Sequence, residues 1–295
     1  MAKKCIITGA TGYIGSHVLK YLLSKGWDIH IIAESRFGYN NIKDVISLID
    51  VFEYDGDISS LCLYFQRVQV DVVFHLAAAV ITNYKPEQVS TLVQSNIQFG
   101  AEVLEAMRSS KTRLLVSTGS YWQNYNNEVY NPVDFYAATK EAFEKITQLY
   151  VDAYGFRHVN LRLFDVYGED DRRNKIWNIL KEIAGTEQSL DVSPGGQLLD
   201  LIHISDVCTA YEAAYYLMEG DMNVRNNVYG VRTGKLHSLK EAIKILEKCL
   251  GKTINVEFGV KPYKPREVMI PCESYEYLPN WKSSISLEEG FNLFK

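Results

Sequence analysis

Two residues in the stretch NPVDFYAATK, residues 131–140, have the types and spacing to move a proton: Tyr136 and Lys140. Four positions apart is one helical turn, which puts both side chains on one face. A phenol beside an ammonium is expected to be a proton donor with a lowered pKa. Near the start of the chain, residues 8–15 read TGATGYIG. A glycine-rich turn of this kind can cradle a phosphate, and a phosphate cradle plus a proton donor is most of what a carbonyl reductase needs. Tyr-x-x-x-Lys by itself also describes an ordinary solvated helix face, so its meaning depends on the elements that position it.

Gly9, Gly12 and Gly15 follow an apolar run and open a helical pattern. That is the context in which a dinucleotide fingerprint works: one glycine for the tight turn, one for close approach of the pyrophosphate, one for packing of helix on strand. Thr11, Tyr13 and Ile14 belong to the same turn and are read as cofactor contacts with it. The helix N-terminus then offers N–H groups to the anion. The end of a second strand normally carries an acid for the ribose of NAD, but Ala33 stands there, followed by Glu34, Ser35 and Arg36. A hydroxyl and a guanidinium favour a 2′-phosphate, hence NADPH rather than NAD. Glu34 could still turn inward and hold a ribose. Asp57 and Ile58 lie where the chain would pass the adenine; Asp57 can accept from the exocyclic amine, cap a helix, or do both.

Strand-like runs occur at 4–8, 28–33, 71–78, 111–117 and 158–164, separated by helical patterns at 14–25, 89–109 and 136–154, with Gly26 closing the first helix. This alternation predicts an α/β fold, a Rossmann-like doubly wound parallel sheet with helices on both faces and right-handed crossovers. Beyond Phe164 the pattern changes. Residues 166–200 hold a loop, a helix and a Pro-Gly-Gly turn; a strand at 201–204, helices at 207–218 and 238–251 and a strand at 253–258 follow, then a Pro- and Tyr-rich tail. The expected division is a dinucleotide-binding domain of residues 1–165 plus 201–232, and a small C-terminal substrate-binding lobe of residues 166–200 plus 233–295. Ligands in open α/β sheets bind at the carboxyl edge, where this lobe would sit.

The 295 residues carry a net charge of −5 with 31 basic residues spread along the chain, which is no footprint for nucleic acid. Cys5, Cys62, Cys208, Cys249 and Cys272 are far apart and make no metal-binding spacing, so no metal is expected. No apolar run suits a membrane span or an export signal. A reducing cytoplasm is the expected location.

TGATGYIG, DVVFHLAA at 71–78, Asn96, a Ser-Thr strand end, Tyr136-x-x-x-Lys140, LRLFDVYG at 161–168 and LIHISDV at 201–207 occur in one order. Over nearly the whole chain this resembles the extended short-chain dehydrogenase/reductase family, also called the NAD-dependent epimerase/dehydratase family. The resemblance implies a catalytic set of Thr118, Tyr136 and Lys140, with Ser117 and Ser120 as lesser stand-ins for the hydroxyl. It implies cofactor contacts at Leu76, Ala77 and Ala78, a bracing role for Asn96, a packing role for His75, and helix capping by Asp206.

The departures narrow the reaction. Where family dehydratases carry an Asp-Glu pair, this chain has Gly119 and Ser120, which disfavours elimination of water. Asp165 replaces the family's usual Asn and would repel a diphosphate unless Arg172, Arg173 or Lys175 compensates. The family's phosphate-holding Arg-Pro step reads here Lys264-Pro265-Arg266. Tyr121 and Trp122 could wall a sugar pocket. The tail and length are most similar to the CDP-abequose and CDP-paratose synthase group, nucleotide-sugar 4-ketoreductases that use NADPH. A reductase of a nucleotide-linked deoxyhexose for surface polysaccharide is therefore expected. A 4-epimerase with bound NAD, and a catalytically inert NAD(P)-sensing protein, are the rivals. Family resemblance also implies a homodimer through the helices at 89–109 and 136–154.

Overall fold

The computed structural model describes residues 2–34 and 38–294. Its core is a seven-stranded, wholly parallel sheet. The strands are β1 (Lys4–Thr8), β2 (Asp28–Ala33), β3 (Asp50–Glu53), β4 (Val72–His75), β5 (Leu114–Ser120), β6 (Arg157–Leu163) and, later in the chain, β10 (Asn226–Val231). Their order is β10-β6-β5-β4-β1-β2-β3, which reverses direction on either side of β1. A crevice therefore opens at the carboxyl ends of β1 and β4, the place where such sheets take ligands.

Helices cover both faces, as a parallel sheet requires. One face buries α1 (Tyr13–Ser24) and α7 (Ile204–Gly220), with Val18, Leu19, Tyr211 and Ala214 against Ile7, Ile31 and Phe74. The other buries α2 (Ile58–Val68), α4 (Phe99–Ser109) and α5 (Phe135–Tyr154), through Leu61, Phe65, Leu104, Met107 and Phe143. The expected helix at 89–109 is built in three parts: α3 (Val89–Val93), a wider π-type turn at Gln94–Gln98, and α4.

The strand expected at 71–78 stops at His75, because the following residues turn to meet the glycine-rich loop. The strand expected at 201–204 is longer, β9 (Leu198–His203), and lies outside the main sheet. It pairs in parallel with β7 (Asp165–Tyr167) and antiparallel with β11 (Leu236–Ser238). A third core joins α6 (Ile176–Ile183), α8 (Leu239–Leu250) and α9 (Leu287–Leu293) through Trp177, Leu180, Leu246 and Phe291. A two-stranded pair, β8 (Ser189–Val192) with β12 (Asn255–Phe258), borders it.

The tail returns to the main sheet. Gly230 N–H donates to the Glu276 carbonyl at 2.8 Å and Gly230 bridges to Tyr277, so the tail runs along the outer edge of β10. Asp206, expected to cap α7, instead accepts from Ser284 N, Ser284 Oγ and Ile285 N at 2.8–3.0 Å. The cap is His203, whose Nδ1 accepts from Ser205 N at 3.3 Å. Sequence favours Asp206 because Asp is a common cap; in the fold it is the third residue of α7, within the first turn, where its carboxylate anchors the tail.

Candidate active site

The glycine turn is shaped by close approach. Gly9 has φ +73°, and a Cβ there would lie 2.6 Å from Ala77 N. Only glycine fits where this turn meets the segment leaving β4. A Cβ at Gly15 would lie 2.1 Å from the Gly9 carbonyl oxygen, so α1 packs directly on the turn. Gly12 is the N-cap of α1 and brings no side-chain cap. The first N–H groups of Tyr13, Ile14 and Gly15 are therefore left for an anion, which is the fit a dinucleotide pyrophosphate needs. Thr8 Oγ1 accepts from Ala77 N at 3.2 Å, and Asn41 Nδ2 donates to the Thr11 carbonyl at 2.8 Å, fixing the loop from a residue that no motif marks.

Leu76 and Ala78 flank Ala77 on the same wall; Leu76 N donates to the Thr8 carbonyl at 3.2 Å. Asn96 braces this wall. Its Oδ1 accepts from Ala79 N at 2.7 Å, and its Nδ2 donates to the Ala79 carbonyl and to Thr139 Oγ1 at 3.0 and 2.9 Å. The π-type turn carries Asn96, so this backbone irregularity ties the wall at Ala79 to α5, the helix of Tyr136 and Lys140. Asp57 caps α2, accepting from Ser59 N and Ser60 N at 3.0 and 3.1 Å, and Ile58 begins that helix at the surface. Ser35 and Arg36 lie outside the described residues.

Tyr136 and Lys140 are both buried, at 8% and 3% exposure. Burial pushes the Lys140 ammonium down to about 8, with Glu144 opposing and Arg162 assisting the drop. The phenol does not follow the sequence expectation. Burial pushes Tyr136 above the usual tyrosine range, Asp134 adds to the rise, and Arg162 and Arg173 only partly offset it. The reason is that desolvation acts on both members of the pair and penalises the charge of each.

The three strand-end hydroxyls separate by role. Ser117 Oγ is 2.7 Å from His158 Nε2 and accepts from Asn160 Nδ2 at 2.8 Å, inside the sheet. Ser120 Oγ accepts from Trp122 N at 3.3 Å and caps a short turn. Thr118 Oγ1 lies 2.6 Å from Tyr211 Oη and donates to the His75 carbonyl at 3.1 Å. His75 itself is packed between Phe99 and Phe143 and held neutral by burial, its pKa lowered to about 3. Position 119 is closed: a Cβ there would lie 2.3 Å from Asn160 Oδ1 and 2.6 Å from an Arg162 nitrogen. Arg162, 4% exposed, is paired with Glu144, and Gln123 Nε2 donates to both Glu141 and Glu144 at 2.9 Å. This buried network locks α5 to β6.

On the far side of the cleft, Tyr121 donates to Asp165 Oδ2 at 3.0 Å and stacks on Phe164 with centroids 4.8 Å apart. Trp122 meets Tyr121 edge-on at 6.3 Å. Burial raises the Asp165 carboxyl to about 6, with Tyr121 and Lys175 pulling it back. Of the cations expected to compensate it, Lys175 acts on Asp165, whereas Arg173 is spent on Asp171 at 2.6–2.7 Å and stacks over the Tyr13 ring at 4.3 Å. Arg172 is exposed. Arg266 binds Asn131 and the Pro132 carbonyl and covers Tyr125, fastening the tail to the loop before α5. Lys264, exposed, places its charge near Asp134 and Lys175. Among the described residues, no group of three metal-ligating side chains converges, and no helix is long and apolar enough to cross a membrane.

The glycine turn meets the wall beyond β4, and the Tyr-Lys pair is buried on α5. The model of the NAD dependent epimerase/dehydratase family matches residues 5–229. The chain belongs to this family. It is thus an enzyme of the extended short-chain dehydrogenase/reductase class, a modifier of nucleotide sugars. Among its relatives, the CDP-abequose synthase of Salmonella muenchen is 28% identical over 291 residues, covering 98% of this chain and 95% of the relative. The UDP-glucose 4-epimerase of Halalkalibacterium halodurans is 24% identical, covering 94% and 90%. In fold the family member resembles the UDP-glucuronic acid 4-epimerase from Bacillus cereus, solved with UDP-glucuronic acid and NAD. That likeness has a TM-score of 0.82 and 23% identity and covers 98% and 97% of the two chains.

Proposed function

We propose that the protein reduces the 4-keto group of a nucleotide-linked deoxyhexose, with CDP as the nucleotide and NADPH as the reductant, in the supply of sugars for surface polysaccharide. The observation that carries this reading is the buried Tyr136–Lys140 pair, together with a position 119 where even a Cβ meets Asn160 and Arg162. A proton donor without the dehydratase carboxylates suits carbonyl reduction. The Ser35-Arg36 step in the sequence supports NADPH.

When bound, the dinucleotide supplies the hydride taken up by the carbonyl carbon. Thr118 holds the carbonyl oxygen, and Tyr136 delivers its phenolic proton there, so hydride and proton together give the alcohol. The raised phenol pKa keeps that proton in place at neutral pH. Lys140, charged below about pH 8, holds the nicotinamide ribose and stabilises the tyrosinate left behind. Tyr121, Trp122 and Asp165 form the sugar side, and Arg172 and Lys264 are the cations offered to the diphosphate. The small lobe of residues 166–200 plus 233–295 serves as the substrate side, and the outer faces of α3, α4 and α5, with Val89, Val93 and Leu149 exposed, serve a homodimer in the cytoplasm.

The test is turnover of a CDP-4-keto-dideoxyhexose with NADPH by the parent and by Tyr136→Phe. A loss of roughly 10²–10⁴-fold is expected, and equal rates refute the reading. A second reading, a 4-epimerase with resident NAD, is supported by neighbours such as the Bacillus cereus enzyme, solved with NAD. Purification with NAD already bound, and interconversion of a UDP-hexose without added cofactor, would select it.

A further inference from the structure

Thr118 has one proton and two oxygens within reach. Tyr211 Oη is at 2.6 Å, a tight O–H···O contact, and the His75 carbonyl at 3.1 Å, a loose one. Tyr211 is on α7, on the opposite face of the sheet from α5, and is fully buried. Its ring meets Phe74 edge-on at 6.1 Å. Among the described residues, Thr118 is the phenol's hydrogen-bonding partner. Burial holds the phenol above the usual tyrosine range, so it stays protonated. If Thr118 donated to Tyr211, the phenolic proton would be buried without an acceptor, which costs the desolvation of a polar group. The arrangement that satisfies every group runs from Tyr211 O–H to Thr118 Oγ1, and from Thr118 O–H to the His75 carbonyl.

In that arrangement the strong bond holds the Thr118 oxygen and the weak one holds its proton. A carbonyl oxygen arriving at the site competes only with the 3.1 Å contact. The Thr118 proton can swing to it while the oxygen stays in place. Donation from Tyr211 also polarises the Thr118 hydroxyl and makes it a better donor. The Tyr136 phenol acts on Tyr211 only electrostatically, whereas Thr118 is in direct contact with it.

We propose that Tyr211 is a positioning residue for the reaction, donating to Thr118 from behind the sheet so that the Thr118 proton is aimed at the substrate carbonyl. This rests on the reading of Thr118 given above. It acts through Thr118 and touches neither sugar nor cofactor.

The experiment is a double-mutant cycle of Tyr211→Phe and Thr118→Val, with NADPH and a CDP-4-keto-dideoxyhexose. Tyr211→Phe should lower kcat about tenfold, the worth of one hydrogen bond, with KM for the sugar nucleotide unchanged. The Kd of NADPH, read by titration calorimetry, should not move, which shows an intact fold and cofactor site without recourse to turnover. In the Thr118→Val background, Tyr211→Phe should change kcat less than twofold, because the bond is already gone. Incorporation of 3-fluorotyrosine at position 211 keeps the donor and should keep parental turnover; it carries the test if Tyr211→Phe fails to fold. Full turnover in Tyr211→Phe overturns the proposal, as does a tenfold loss that persists in the Thr118→Val background. Parental turnover in Thr118→Val would instead overturn the role of Thr118, and the proposal with it.

Discussion

Lys140 sits in the fold at a cost, and replacing it with Met should reveal how large that cost is. Its side chain is 3% exposed, and burial lowers its pKa from the ordinary 10.5 to about 8. At 1.36 kcal/mol per pH unit, that drop corresponds to roughly 3 kcal/mol of differential stability. The sign follows from proton counting. Between pH 8 and 10.5 the unfolded chain keeps the lysine proton and the folded chain releases it, so stability rises with pH across that window. Below pH 8 both states hold the proton and the whole penalty is present. Lys140→Met keeps the length of the side chain and removes the charge. At pH 7, protein stripped of dinucleotide should therefore gain up to about 3 kcal/mol, reduced by any relaxation around the ammonium. That is on the order of 5–10 °C in melting temperature for a chain of this size. The gain should fade as pH rises toward 10.5, while turnover on a ketosugar falls by roughly 10²-fold or more at every pH. The assay is urea or thermal unfolding of both proteins from pH 6 to 10.5. A variant less stable than its parent at pH 7, or a gain independent of pH, would refute the reasoning.

Two further outcomes follow from the geometry. Gly9→Ala forces a Cβ to 2.6 Å from Ala77 N at φ +73°, so it should lower dinucleotide affinity at least tenfold in calorimetry and destabilise the fold measurably. Asp165→Asn removes a carboxyl whose pKa is raised to about 6, so the penalty on the charged form is present above pH 6 and absent below about pH 4. The variant should be more stable by about 1–2 kcal/mol at pH 8, a figure discounted for partial exposure, and equal to its parent near pH 4 by urea titration.

The sheet was legible where apolar runs end abruptly. KCIIT lies between Lys3 and Gly9, DIHIIA opens on the polar Asp28 and stops before Glu34, and β1 and β2 have the bounds the pattern predicts. Elements that depend on partners rather than on their own pattern were not. β10, NNVYGV, is half polar and becomes a strand because β6 and the tail lie on either side. The π-type turn at Gln94–Gln98 leaves the hydrophobic period almost unchanged, so nothing in the sequence separates α3 from α4. α9 had a readable signal, the capping box of Ser286 and Glu289, which the tail's Pro- and Tyr-rich character obscures. At the site, the glycine turn and the Tyr-Lys pair were visible because their spacing is local. Tyr211 is 93 positions from Thr118, and the Arg173–Tyr13 stack joins a loop to the distant start of α1, so neither has a spacing to read. The raised Tyr136 pKa was hidden for the same reason, since burial is a property of the assembled core.

The tail strip along β10 constrains how this end of the chain can vary. The same few residues that cover Gly230 also place Tyr275 over Arg162, while Arg266 upstream fastens the loop before α5. A parallel sheet with an uncovered border strand is open to pairing with other chains. Sequence drift in the tail must therefore preserve a backbone seam at Glu276 and Tyr277, or leave the β10 edge open to aggregation. Variation here should proceed by swapping side chains on a fixed backbone strip, with insertions kept away from the contact of Gly230 with Glu276 and Tyr277.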